Sequence, residues 1–254
     1  MNILYLFFKV LKAKSAFAEK ILFLKDCRDF FSQGEASSFK FAVGRWFPVL
    51  GDKTDSSGTA SGHYFHQDLL VARRIFLNSP QRHVDVGSRI DGFVAHVASF
   101  REIEVFDIRP MPVPVMNIFF VQADLMNLNK KFISYTDSLS CLHALEHFGL
   151  GRYGDPVDFD GFVKGFENMK RILAPGGKFY LSVPIGPQRI EFNAHRVFDV
   201  VTILSLLEEY FQLDCFSYVG DDGNIYENVM IDTKQVQQNY GCYYGCGIFE
   251  CTKR

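Results

Sequence analysis

The stretch "HVDVGSRIDGF", residues 83–93, decides how this chain is read. A short apolar run closes on an acid, Asp85, and breaks at Gly87 into Ser88, Arg89 and a second acid, Asp91. That is the form of a strand entering a tight turn ahead of a helix, the place where open α/β sheets bind nucleotides. A dinucleotide fingerprint would place further glycines at 89 and 91, so that bare backbone meets pyrophosphate. Arg89 and Asp91 stand there instead. The turn therefore suits a ligand with a charged amino-acid end better than a diphosphate: Gly87 permits the tight turn, Ser88 and nearby amides suit a carboxylate, and Asp91 suits an ammonium group.

Outward from this turn, short apolar runs alternate with helical spacing. Strands are predicted near residues 83–87, 103–107, 119–124, 137–143 and 177–184, and helices near 91–100, 158–173 and 197–210. The pattern predicts an α/β fold, a doubly wound, mostly parallel sheet of Rossmann-like type. "FQLDCFSYVG" and "YYGCGIFECTK", separated by a polar stretch with "DDGN", predict a closing antiparallel C-terminal strand pair. "HYFHQDLLVARRIFL", residues 63–77, has Leu69, Leu70, Ala72, Ile75 and Phe76 at helical spacing. Before it, residues 51–62 are rich in Gly, Ser, Thr and Asp and read as a flexible linker. The expected organisation is an N-terminal helical extension (1–50), that linker, and one domain (63–254).

A chain of 254 residues with 48% hydrophobic content can bury a full core. The net charge of −2 and pI near 6.4 exclude a broad basic field, so no nucleic-acid partner is expected. Six scattered cysteines without C-x-x-C spacing predict free thiols in a reducing compartment and no metal. The start is apolar, but Lys9, Lys12 and Lys14 interrupt the run too early for a span, and no cation precedes it as in a secretory signal. Apolar residues mixed with Lys describe an amphipathic helix that packs on a neighbouring surface or rests peripherally on the inner face of a membrane. A cytoplasmic location is expected, and the sequence leaves the oligomeric state open.

Three acids fall at or near consecutive strand ends: Asp85, Asp107 and Asp124. Asp107 lies 22 residues beyond Asp85, the spacing of a carboxylate that accepts hydrogen bonds from a ribose diol. "VDVGS", "VFDIRP", "QADL", "CLHALEH" and "RILAPGGKFYLSVP" together resemble the motifs of the class I S-adenosylmethionine-dependent methyltransferases, over about residues 63–254. "DVGSRIDGF", "EHFGLGRYGDP" and "FNAHRVF" more narrowly resemble a methyltransferase-like group, some of whose members are associated with surface-polysaccharide synthesis. The resemblance implies S-adenosyl-L-methionine as cofactor, with Asp85 and Gly87 at its methionine end, Asp107 at the ribose, and Asp124 with Leu125 at the adenine. It departs from the general pattern at Arg89 and Asp91.

The acceptor should approach the fourth-strand segment "SLSCLHALEHFGLGRYGDP". A helical turn there would set His143 beside His147. His147 is the first candidate general base and His195 the second, with Glu146 orienting one of them. Arg152 and Tyr153, in a polar glycine loop with Asp155, are candidates for recognising hydroxyls. Asn193 and Arg196, after the fifth strand, are candidates for a wall over the acceptor, and His63 and His66 for the same cleft. "ILAPGG" reads as a structural turn. The expected reaction is methyl transfer to a hydroxyl of a sugar or surface glycoconjugate. The alternatives are a cofactor-fold binding protein without turnover and an NAD-dependent sugar-modifying enzyme.

Overall fold

A computed structural model describes residues 3–254, with side chains from Phe17 onward. The chain divides into two compact units, one ending at Thr59 and the other running Ala60–Arg254.

In the first unit, helix α1 (Ile3–Glu35) ends where Lys40 Nζ donates to the free carbonyls of Gly34 and Glu35, at 3.2 and 3.1 Å. Residues 36–50 hold no helix or strand, so the helical extension is shorter than the sequence suggests. Trp46 in this stretch packs edge to face on Phe23 and Phe31. The side chains of residues 3–16, on which the expected amphipathic helix rests, lie outside the described residues. No helix among the described residues is long and apolar enough to cross a membrane.

In the second unit, eight strands form one sheet in the order β3 (Ile118–Gln122), β2 (Ile103–Asp107), β1 (His83–Val86), β4 (Thr136–Leu142), β5 (Leu173–Ile185), β10 (Gly245–Lys253), β8 (Phe211–Val219), β9 (Ile225–Tyr226). The first five are parallel; β10 runs antiparallel to both β5 and β8. Helices α4 (Gly161–Ile172) and α5 (Val200–Glu208) cover one face, burying Phe166, Met169 and Ile203 with Val84, Val86 and Phe179. Helices α2 (His63–Asn78) and α3 (Ala95–Ala98) cover the other, burying Val71, Ile75 and Val97 with Val105, Tyr180 and Ile248. A sheet covered on both faces explains why β1 is buried at every residue, its polar His83 and Asp85 included.

Four elements depart from expectation, the first two for visible reasons. The helix expected over 91–100 is a π-turn (Ile90–Val94) followed by the single turn of α3, because Gly92 has non-helical torsions (φ −128°, ψ −109°). A Cβ on Gly92 would come within 2.6 Å of the Asp68 carboxylate, so the break is tied to α2 packing. The turn at Pro175–Gly177 lies inside β5 as a bulge: the register to β4 jumps from Thr136 opposite Leu173 to Ser138 opposite Lys178, with Gly176 at φ +75°. A hairpin, β6 (Arg189–Glu191) with β7 (His195–Val197), and helix α6 (Thr233–Gln237) were not expected.

Candidate active site

The C-terminal ends of β1 to β4 frame a cleft that opens to solvent. The site is built on a polar ladder inside the sheet. His83 faces Ser138 and Asp85 faces Ser140 across β1 and β4. Asp85 is fully buried and accepts hydrogen bonds from Ser140 Oγ (2.5 Å), Ser88 Oγ (2.6 Å) and the Ser88 amide (3.0 Å). Burial nonetheless pushes its carboxyl up to about 6. The hydroxyl proton of Ser140 goes to Asp85, so His83 Nε2 donates to Ser140 Oγ (3.1 Å) and Nδ1 accepts from Ser138 (2.8 Å). Asp85 and Ser88 thus lie beneath the turn and do not line the cleft. They fix Gly87, which does line it, at φ +69°, a torsion few other residues tolerate.

Asp91 points to solvent, its side chain 75% exposed and bonded by Arg89 at 2.8 and 3.1 Å. It lines no part of the cleft; Arg89 does, with its guanidinium 5.0 Å over the Tyr64 ring. At the second strand end, Asp107 lines the cleft, and Arg109 bonds both of its oxygens. At the third, Asp124 and Leu125 line it; Asp124 accepts from the Met126 amide (2.8 Å), and Asn168 holds the Leu125 carbonyl (2.9 Å).

The fourth strand ends in the titratable cluster. His143 (φ +50°) and Ala144 lead into a 3-10 turn over Leu145–His147. His143 Nδ1 bonds Glu146 Oε1 at 2.9 Å, and His147 Nε2 lies 3.8 Å from the same oxygen. Burial opposes charge on His143, but the Cys246 sulfur and the Glu146 carboxylate outweigh it and raise its pKa well above the ordinary value. Burial equally opposes charge on Glu146, yet His143 holds its pKa below normal, so the two form a buried ion pair. His63 stacks on His143 with centroids 5.2 Å apart; burial, then the His143 charge, lowers its pKa to about 4. Among the described residues no group of three His, Cys, Asp or Glu could hold a metal ion.

His147 lines the cleft, and its Nδ1 lies 2.7 Å from the Ala194 carbonyl. A carbonyl only accepts, so Nδ1 carries the hydrogen and Nε2 of the neutral ring carries a lone pair. Burial lowers the His147 pKa and keeps the ring neutral near pH 7. Tyr153 lines the cleft beside it, ring edge to ring face at 5.3 Å. Asp155 fixes that loop through the amides of Gly149 (2.8 Å), Gly151 and Tyr153 (3.1 Å), while Arg152 donates to the Ala194 carbonyl (2.9 Å). Arg152 and His195 do not line the cleft; His195 faces Glu191 at 3.2 Å and leans on Tyr244. Asn193 is exposed in the β6–β7 turn. Arg196 is buried, donates to the backbone carbonyls of Phe148 (2.6 Å), Phe159 (3.0 Å) and Glu146 (3.3 Å), and does not line the cleft.

The cleft therefore gathers Gly87, Asp107, Asp124, Leu125, His147 and Tyr153 from the residues expected in the sequence. Among the other residues that line it are Tyr64, Arg89 and Arg109, which sequence reasoning missed or left aside. The one available signal was Arg109 itself, two residues beyond Asp107 in "FDIRP".

This overall fold recurs in solved structures. The fold is that of the class I methyltransferases. The [4+2]-cyclase SpnF matches with a TM-score of 0.54 at 14% identity, over 74% of this chain and 80% of its own. The Burkholderia thailandensis 1,6-didemethyltoxoflavin-N1-methyltransferase, solved with S-adenosylhomocysteine, matches with 0.51 at 14% identity, over 74% and 78%. The N-methyltransferase NodS from Bradyrhizobium japonicum WM9, also with S-adenosylhomocysteine, matches with 0.50 at 14% identity, over 76% and 88%. A family described as Caenorhabditis protein of unknown function, DUF268, matches residues 116–241. No curated protein matches the sequence. The methyltransferase fold alone does not decide chemistry, as a cyclase among its bearers shows.

Proposed function

We propose that the chain is an S-adenosylmethionine-dependent O-methyltransferase acting on a small hydroxylated acceptor of the sugar or glycoconjugate class. The observation that carries this reading is the pairing, in one cleft, of a strand-end acid suited to a ribose with a neutral histidine whose Nε2 lone pair is set by the Ala194 carbonyl. Two of the solved structures with this fold hold S-adenosylhomocysteine. The residues fit such a nucleoside in order along the strand ends: Gly87 gives close backbone approach, Arg89 offers a guanidinium for the carboxylate, Asp107 takes the ribose hydroxyls, and Asp124 and Leu125 border the adenine. Asp91, turned to solvent, is not part of this arrangement.

When bound, the cofactor supplies an electrophilic methyl group on a sulfonium. His147 Nε2 takes the acceptor's hydroxyl proton as the oxygen attacks, a role worth about 10²- to 10⁴-fold in rate. Glu146, 3.8 Å away, stabilises the resulting imidazolium. Alignment of acceptor and methyl group by the cleft contributes about 7–11 kcal/mol. The sugar class rests on the resemblance of "EHFGLGRYGDP" and "FNAHRVF", and Tyr153 is the hydroxyl-facing residue in the cleft.

The test is calorimetric titration with S-adenosylhomocysteine, with NAD as competitor, followed by methyl incorporation into a panel of sugars and glycans. Binding without incorporation would favour a cofactor-fold binding protein, and tighter binding of NAD would favour a dinucleotide enzyme.

A further inference from the structure

We infer that Arg109 is a displaceable latch on the ribose acid, seated so that its release is felt at the acceptor end of the cleft. This rests on the cofactor reading above. Arg109 Nε donates to Asp107 Oδ1 at 3.0 Å and Nη2 to Oδ2 at 2.6 Å, a two-pronged pair that engages both carboxylate oxygens. A ribose diol needs those same oxygens as acceptors, so nucleoside and guanidinium compete for one carboxylate. Asp107 does not depend on the guanidinium for its aim, because the Arg109 main-chain amide also donates to Oδ1, at 2.8 Å. The acid stays in place when the fork lifts.

The fork is also easy to lift. The Arg109 side chain is 48% exposed and that of Asp107 12%, so solvent reaches and screens the pair from the arginine side. Its landing place is built: the guanidinium carbon lies 4.3 Å over the Tyr153 ring, and that ring meets His147 at 5.3 Å. Asp107, Arg109, Tyr153 and His147 thus form one contiguous row from the ribose end to the proposed base. A guanidinium released from Asp107 keeps its aromatic partner and carries an unpaired positive charge beside the acceptor. Any gain in acceptor binding from that charge must, by linkage, return as tighter nucleoside binding.

The experiment titrates S-adenosylhomocysteine into the full chain and its Arg109→Met variant, at low and at high salt, with thermal unfolding as the fold control. Removing the competitor should tighten binding about two- to five-fold at low salt, the size of a half-exposed ion pair. Salt should close the gap by screening the latch in the wild type only. Equal or weaker binding by Arg109→Met at low salt, with the wild type binding measurably, would overturn the latch and leave the cofactor reading intact. Absence of binding by both proteins would overturn the cofactor reading itself.

Discussion

Arg196→Met tests whether the hairpin after β5 carries the site's scaffold or its specificity. Arg196 is 4% exposed and donates to three main-chain carbonyls, two of them at 2.6 and 3.0 Å. Methionine keeps an apolar stem against the Phe162 ring but supplies no donor, so the carbonyls of Phe148 and Phe159 lose their charged partner. Hydrogen bonds to charged groups contribute about 1.5–3 kcal/mol each, so the two short bonds together contribute at least about 3 kcal/mol. A net loss of about 3 kcal/mol follows. For a unit of this size, that lowers the Tm by about 6–12 °C. The assay is thermal unfolding followed by circular dichroism, supported by a urea midpoint with an unchanged m-value. Because Glu146 and Phe148 flank His147, turnover should fall with stability. A variant that melts with the wild type while only its acceptor KM rises would refute this reasoning and return Arg196 to substrate binding.

Asp107→Ala should weaken S-adenosylhomocysteine binding about ten-fold or more, since two hydrogen bonds to a charged acceptor are lost, while the melting temperature stays near that of the wild type; calorimetry and unfolding together check this. His147→Gln should lower turnover about 10²- to 10⁴-fold with nucleoside affinity retained, measured by methyl incorporation beside calorimetry. The wild-type rate should fall with acid through a pKa below 6.5, the direction in which burial moves His147, because the base works only when unprotonated. His63 has a folded pKa near 4 against 6.5 unfolded, so the unfolded chain binds the extra proton between those values and stability falls as pH drops from 6.5 toward 4. His63→Phe should remove up to about 2 kcal/mol of that loss between pH 6.5 and 5, read from urea midpoints at the two pH values.

The parallel half of the sheet was legible because each of its strands is a short apolar run bounded by turn residues, and because acids at strand ends mark the ligand side. What sequence could not show is which way those acids point. Asp85 and Asp91 flank the same turn, yet Asp85 is drawn inward by Ser88 and Ser140, partners set by strand pairing, and Asp91 is drawn outward by Arg89. Ser140 is 55 residues from Asp85 in sequence, so no local pattern announces the bond. Arg196 shows the same limit: an arginine in an aromatic stretch looks like a ligand residue until three distant carbonyls are found around it. The role of His147 was readable in kind, but its tautomer depends on a hairpin that three-residue strands barely register in the sequence.

The place of β10 in the sheet has a consequence for biosynthesis. Residues 245–253 are wedged between β5 and β8, so during translation the two neighbours emerge long before the strand that joins them. Until then each presents a raw backbone edge, the kind of surface that recruits other chains. A chain stopped short of β10 would hold the sheet in two unsealed pieces, so deletion of residues 245–253 is expected to promote aggregation.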